Sequence, residues 1–102
     1  VGTTRQTALV TGASRGIGKA SAVALASVGF DVAITARTMH EGEGFDDSDS
    51  AHRTVPGSLD TTATLIEGQG ARALTVPMDL LDRSSVVGAA GQVLDTWGHI
   101  DV

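Results

Sequence analysis

Thr11-Gly12-Ala13-Ser14-Arg15-Gly16-Ile17-Gly18 sets three glycines at GxxxGxG spacing, a pattern suited to holding a phosphate-bearing ligand. An apolar run, Thr7-Ala8-Leu9-Val10, precedes it and reads as a buried strand. Lys19 to Ala26 follows it and reads as a helix. A strand, a glycine-rich turn and a helix start together present backbone N–H groups and the positive end of a helix dipole to an anion. Gly12 suits a tight turn, Gly16 lets the backbone approach a diphosphate, and Gly18 lets the helix pack close to the strand. The bland alternative is a strand–turn–helix corner with no ligand, and the flanking pattern on both sides argues against it. The triphosphatase P-loop, GxxxxGK[ST], is excluded. Lys19 follows Gly18, but the first glycine of that pattern would fall on Ala13 and its Ser/Thr on Ala20. Lys19 therefore reads as a solvated helix residue.

The elements that must carry this turn alternate between strand and helix, as in βαβ units. The periodicity predicts strands over Thr7–Val10, Asp31–Ala36 and Ala71–Val76, and helices over Gly16–Ser27 and Leu59–Glu67. Ser58 is a good N-cap for the second helix, with Leu65 and Ile66 on its buried face. A further helix begins near Asp82 or Ser84 and reaches Trp97, with Val86, Val87, Ala90, Val93 and Leu94 near i, i+3, i+4, i+7 spacing. Gly98 closes it, and Ile100-Asp101-Val102 begins a fourth strand. The fold class expected is α/β. It is a Rossmann-type, doubly wound parallel sheet, incomplete, with about three strands plus the start of a fourth in the order 3-2-1-4. Because the sequence stops inside that strand, a piece of a longer protein is the expectation.

The words TGASRGIG match TGxxxGxG at every defined position, and in this the chain resembles the classical short-chain dehydrogenase/reductase family. Trp97-Gly98-His99-Ile100-Asp101-Val102 is similar to the family's G-x-I-D-x-L-V-N-N-A, as far as it runs. The resemblance covers nearly all of the chain outside residues 38–58 and corresponds to the family's N-terminal, cofactor-binding half. It implies that Gly12, Ser14, Arg15, Gly16, Ile17 and Gly18 line the cofactor's phosphates. It also implies that Asp79 accepts a hydrogen bond from the adenine amino group, with the backbone of Leu80 nearby. Taken by its own neighbours, Asp79 also suits a turn or an N-cap.

Arg37 bears on which cofactor. NAD-preferring enzymes carry an acidic residue at the end of the second strand, for the ribose hydroxyls. Here that position is Ala36, followed by Arg37. A guanidinium can pair bidentately with a 2′-phosphate, Arg15 can reach the same group, and Ser14 can add a hydroxyl. The expectation is NADP(H), with NAD(H) possible. As a plain loop residue Arg37 would be solvated, and the acidic segment after it could compete for it.

The resemblance implies hydride transfer between NADP(H) and a small-molecule carbonyl or secondary alcohol, in a homo-oligomer. The family's catalytic residues are Asn, Ser, Tyr and Lys, with Tyr and Lys spaced YxxxK. This chain has no Tyr and no Asn, and its one Lys is Lys19. These residues alone are thus expected to be inactive. The alternatives are a non-catalytic dinucleotide-binding module and an inactive fragment.

At 102 residues the chain is at most one small domain. Its aromatics are Phe30, Phe45 and Trp97, so the core must be built from Ala, Val, Leu and Ile. With no cysteine there is neither a disulfide framework nor thiolate chemistry. His40, His52 and His99 lack metal-ligand spacing, so no metal is expected. The net charge is −5, and five of the twelve acids fall within residues 38–58 against one base, Arg53. A nucleic-acid partner has no basic surface to use. Residues 38–58 are expected to form an acidic, flexible loop. No apolar run reaches the length of a membrane span and no signal core opens the chain, so a cytoplasmic protein is the expectation.

Overall fold

The structure, a computed structural model, describes residues 5–37, 45–46, 53–54 and 58–102. In chain order the elements are β1 (Thr7–Thr11), α1 (Gly16–Ser27), β2 (Asp31–Ala36), β3 (Phe45–Asp46), β4 (Arg53–Thr54), α2 (Leu59–Gly68), β5 (Ala73–Pro77) and α3 (Arg83–Trp97). The short strands β3 and β4 pair antiparallel with each other. Most of the expected loop at 38–58 lies outside the described residues.

The main sheet is parallel, in the order β1-β2-β5. Its register aligns Thr11 with Thr35 and Thr35 with Val76. The three strands therefore end together, and the segments that follow them emerge at one edge. β2 is the central strand and is buried along nearly its whole length. That explains its run of Val32, Ala33, Ile34, with no polar alternation. Pro77 sits in β5, on the sheet's outer side, where the missing amide proton costs no ladder bond. β5 starts two residues later than the spacing predicts.

The side chains of β2 divide between two cores. Val32 and Ile34 pack with Ala22 and Ala26 of α1 and Leu59 and Ile66 of α2. Ala33 packs on the opposite side with Val76, Met78 and Ala89 and Val93 of α3. Helices thus cover both faces, which is the doubly wound arrangement.

The helix faces correct part of the sequence reading. In α3 the inward positions are Val86, Ala89, Val93 and Trp97, while Val87 and Leu94 are exposed. Each outward residue is one step of about 100° around the helix from an inward one, enough to turn it from the sheet. In α2 the buried side chains are Leu59, Thr62 and Ile66. Leu65 instead lines a shallow apolar groove with Ala20, Val23 and Ala24 of α1.

Residues 99–102 lie beside β1 as the beginning of a fourth strand, although their pairing is too short to count as one. The Leu9 N–H donates to the Val102 carbonyl at 2.9 Å, and the Asp101 N–H to the Thr7 carbonyl at 2.9 Å. Thr7 also donates its N–H to Asp101 Oδ2 at 2.8 Å and its hydroxyl to the His99 carbonyl at 2.6 Å. His99 is partly covered, with Nε2 3.2 Å from Asp101 Oδ2.

At the same end, Asp31 is fully buried and binds Arg5 Nε and Arg72 Nε, each at 2.9 Å, as well as the Arg72 N–H at 2.9 Å. Burial pushes its carboxyl pKa up. The hydrogen bonds from Arg72, backbone and side chain, together with Arg5, outweigh that and hold it below its ordinary value. Arg72 in turn stacks over the Trp97 ring, 5.2 Å from its centroid. This knot ties the amino ends of the strands together and leaves the opposite edge for a ligand.

Candidate functional site

At the carboxyl edge of the sheet, β1 runs into the glycine turn, β2 into Arg37, and β5 into Met78, Asp79 and Leu80. The topology therefore gathers every residue the sequence singled out as cofactor-binding at one edge. In open α/β sheets this is the edge where ligands bind.

The turn is built by its glycines in two ways. Gly12 and Gly16 have φ of 62° and 63°, a left-handed conformation that an L side chain adopts only with strain. A side chain at either would meet open space, so conformation and not room dictates the residue. Gly18 is the reverse case. A Cβ there would fall on the Gly12 carbonyl, 2.8 Å from its carbon, and 3.1 Å from the Thr11 oxygen. The first turn of α1 lies directly against the end of β1, as expected from the spacing.

The start of α1 differs from the other two helix starts. Ser58 caps α2 by accepting the Thr61 N–H, and Asp82 caps α3 by accepting the N–H groups of Ser84 and Ser85. At α1 the N-cap residue is Arg15, no side chain caps the helix, and the first turn contains no acid. The first intrahelical bond runs from the Lys19 N–H to the Arg15 carbonyl. The preceding amides of the first turn, those of Gly16, Ile17 and Gly18, are the groups a helix cannot satisfy internally. With the dipole's positive end, they make a fitting seat for a diphosphate. Ile17 is 87% exposed beside them, an apolar side chain standing in solvent next to the seat. Ser14 is buried within the turn.

Two neighbours fix the turn from beneath. The Ala13 N–H donates to the Thr35 carbonyl of β2 at 3.1 Å. Its carbonyl accepts the hydroxyl of Thr62, from α2, at 2.7 Å. Thr62 carries no signal in the sequence that separates it from any threonine on a buried helix face. Its partner lies 49 positions away.

Arg37 is exposed immediately after β2. Asp79 is half-buried, and its Oδ1 accepts the Leu81 N–H at 3.0 Å. Its own N–H donates to Ser85 Oγ at 3.0 Å. The turn chemistry that its neighbours suggested is thus present, and it engages one carboxylate oxygen. Leu80 is largely exposed beside it.

Residues 6–60 match the sequence profile of the family described as short chain dehydrogenase. The chain is 38% identical over 96 residues to hydroxysteroid dehydrogenase-like protein 2 of Xenopus tropicalis, an alignment covering 94% of this chain and 21% of that protein. A short-chain type dehydrogenase/reductase from Mycobacterium marinum is 34% identical with a TM-score of 0.73, over 94% of this chain and 32% of that one. An alcohol dehydrogenase from the archaeon Thermococcus sibiricus, solved in complex with 5-hydroxy-NADP, is 33% identical with a TM-score of 0.71, over 94% and 34%. The chain therefore spans about a fifth of that curated relative and about a third of these two structures.

Proposed function

The chain belongs to the short-chain dehydrogenase family, and we propose that it forms the cofactor-binding part of an NADP(H)-dependent oxidoreductase acting on a small carbonyl or secondary alcohol. The observation that carries this reading is the α1 start. It is left without a side-chain cap, entered through two left-handed glycines, and held against β1 by Gly18. In this reading the amides of Gly16, Ile17 and Gly18 receive the diphosphate, and Gly12 and Ser14 shape the approach to it. Asp79 accepts from the adenine amino group through Oδ2, the oxygen its turn does not use, with Leu80 alongside.

Preference for NADP(H) follows from charge. Ala36 offers no carboxylate to the ribose hydroxyls, and Arg37 and Arg15 supply guanidinium groups for a 2′-phosphate. The relative from Thermococcus sibiricus, solved with 5-hydroxy-NADP, supports the same choice. When bound, the nicotinamide would donate or accept the hydride at its C4. The residues of this chain bind and orient that cofactor. The proton transfer at the substrate oxygen needs a general acid. The family's YxxxK pair has no counterpart among residues 1–102, which contain no Tyr. We therefore assign proton transfer and the substrate pocket to other parts of a homo-oligomeric enzyme, and take these residues by themselves to be inactive. No helix among the described residues is long and apolar enough to cross a membrane. A cytoplasmic location completes the proposal.

Titration of the purified protein with NADPH and NADH, followed by the cofactor's own fluorescence, tests the reading. Saturable binding of NADPH, tighter than that of NADH, is expected. Equal or tighter binding of NADH would refute the cofactor preference, and absence of binding by either would refute the site.

A further inference from the structure

Thr62 lies on α2, away from the glycine turn in sequence, and it is fully buried. Its hydroxyl has one proton and two carbonyl oxygens in range, that of Ala13 at 2.7 Å and that of Ser58 at 3.2 Å. The shorter contact holds the Ala13 carbonyl, in a residue that is itself 0% exposed. A peptide unit is planar and trans, so its C=O and the next residue's N–H point in opposite directions. Fixing the Ala13 carbonyl toward α2 therefore turns the Ser14 N–H away from α2. Because the Ala13 N–H is held by Thr35, both peptides that flank Ala13 are set by groups outside the turn.

We propose that Thr62 is a positioning residue for the cofactor site. Its hydroxyl sets the Ala13–Ser14 peptide and thereby the path of the turn through Ser14 and Arg15 on which the phosphate end of the dinucleotide is bound. The proposal rests on the reading of this turn as an NADP(H) site. Without the hydroxyl, the Ala13 carbonyl is left buried with no donor, and the peptide gains by rotating toward water. The turn then has to be ordered anew at each binding event, which weakens binding without removing any group that touches the ligand.

The experiment compares NADPH dissociation constants for wild type, Thr62→Val and Thr62→Ser, at a temperature well below the melting point of each. Thr62→Val keeps the shape and removes the donor, and an affinity lower by about five- to tenfold is expected. Thr62→Ser restores the donor and is expected to bind within about twofold of wild type. Should Thr62→Val fail to fold, Thr62→Cys against Thr62→Ser poses the same question, since Cys replaces the hydroxyl by a larger group whose S–H is a weak donor. Equal affinities across either pair, in a protein whose wild type binds NADPH, overturn the role of Thr62 and leave the site standing. A wild type that does not bind NADPH overturns the site itself and the proposal with it.

Discussion

Replacing Gly18 by Ala pits two known effects against each other at one atom. In the interior of a helix the change from Gly to Ala is worth about 1 kcal/mol in favour of the variant. At Gly18, however, the new methyl group would coincide with the Gly12 carbonyl and stand 3.1 Å from the Thr11 oxygen. Both obstacles are backbone, so no side-chain rotation relieves them and the turn itself must move. Such overpacking costs roughly 1–3 kcal/mol, and more where the obstacle is rigid. A net destabilisation of about 1–2 kcal/mol is expected, because the clash exceeds the helical gain. Gly88 and Gly91 of α3 supply the control. Neither would meet any atom within 4 Å on gaining a Cβ, and neither has a positive φ. There the helical gain stands alone, and each variant should be stabilised by about 0.5–1 kcal/mol. The same substitution thus changes sign with position. In a domain of this size the two classes should differ in melting temperature by roughly 10 °C. Thermal denaturation followed by circular dichroism measures this directly. NADPH affinity should fall for Gly18→Ala and stay unchanged for Gly88→Ala. A Gly18→Ala protein that melts with or above the Gly88→Ala protein would refute the argument from close packing.

Gly16 tests conformation without crowding. Gly16→Asn should cost less than Gly16→Val in urea denaturation, with the valine variant losing about 1–2 kcal/mol or more, since a branched side chain tolerates a φ of 63° worst. Asp31→Asn should lower stability by about 1–2 kcal/mol at neutral pH, a modest figure because both arginine partners are partly exposed and screened. The folded carboxyl lies below its ordinary value, so the stabilisation is present above about pH 4 and lost as pH falls through the folded pKa. The gap between wild type and Asp31→Asn should therefore close on acidification, and a gap constant from pH 7 to pH 3 would contradict the assignment. Arg37→Ala should weaken NADPH binding by about tenfold while leaving NADH binding within about twofold, by calorimetric titration. Equal losses for both cofactors would remove Arg37 from the 2′-phosphate site.

How far such features could be read in advance depends on whether their cause is local. β2 and α1 were legible to the residue, because Val32 to Ile34 lie between a glycine and an arginine, and because the turn glycines mark where the helix begins. The gathering of the glycine turn, Arg37 and Asp79 at one edge followed from the parallel direction of the strands, which the alternation of strands and helices implies. Leu65, Val87 and Leu94 were misassigned to buried faces, because an apolar residue beside an apolar stripe fits the period whether or not a neighbouring element covers it. Asp31 and Thr62 had no legible role at all. The partners of Asp31 lie 26 and 41 positions away, and that of Thr62 lies 49 away. No pattern within one element encodes contacts of that span.

The bonds that Thr7 makes to residues 92 and 94 positions later set an order of events in time. Closing a loop of that length in an open chain costs on the order of 4 kcal/mol or more in entropy. The cost falls if β2, α2, β5 and α3 have already docked, since each shortens the open path between the two ends. β1 would then gain its second neighbour last, after nearly the whole of this chain has been synthesised. Among the described strands, the one that feeds the glycine turn is synthesised first and flanked on both sides last. A firmly held glycine turn is consequently a late product of folding, and it forms at the slow pace of non-local strand pairing.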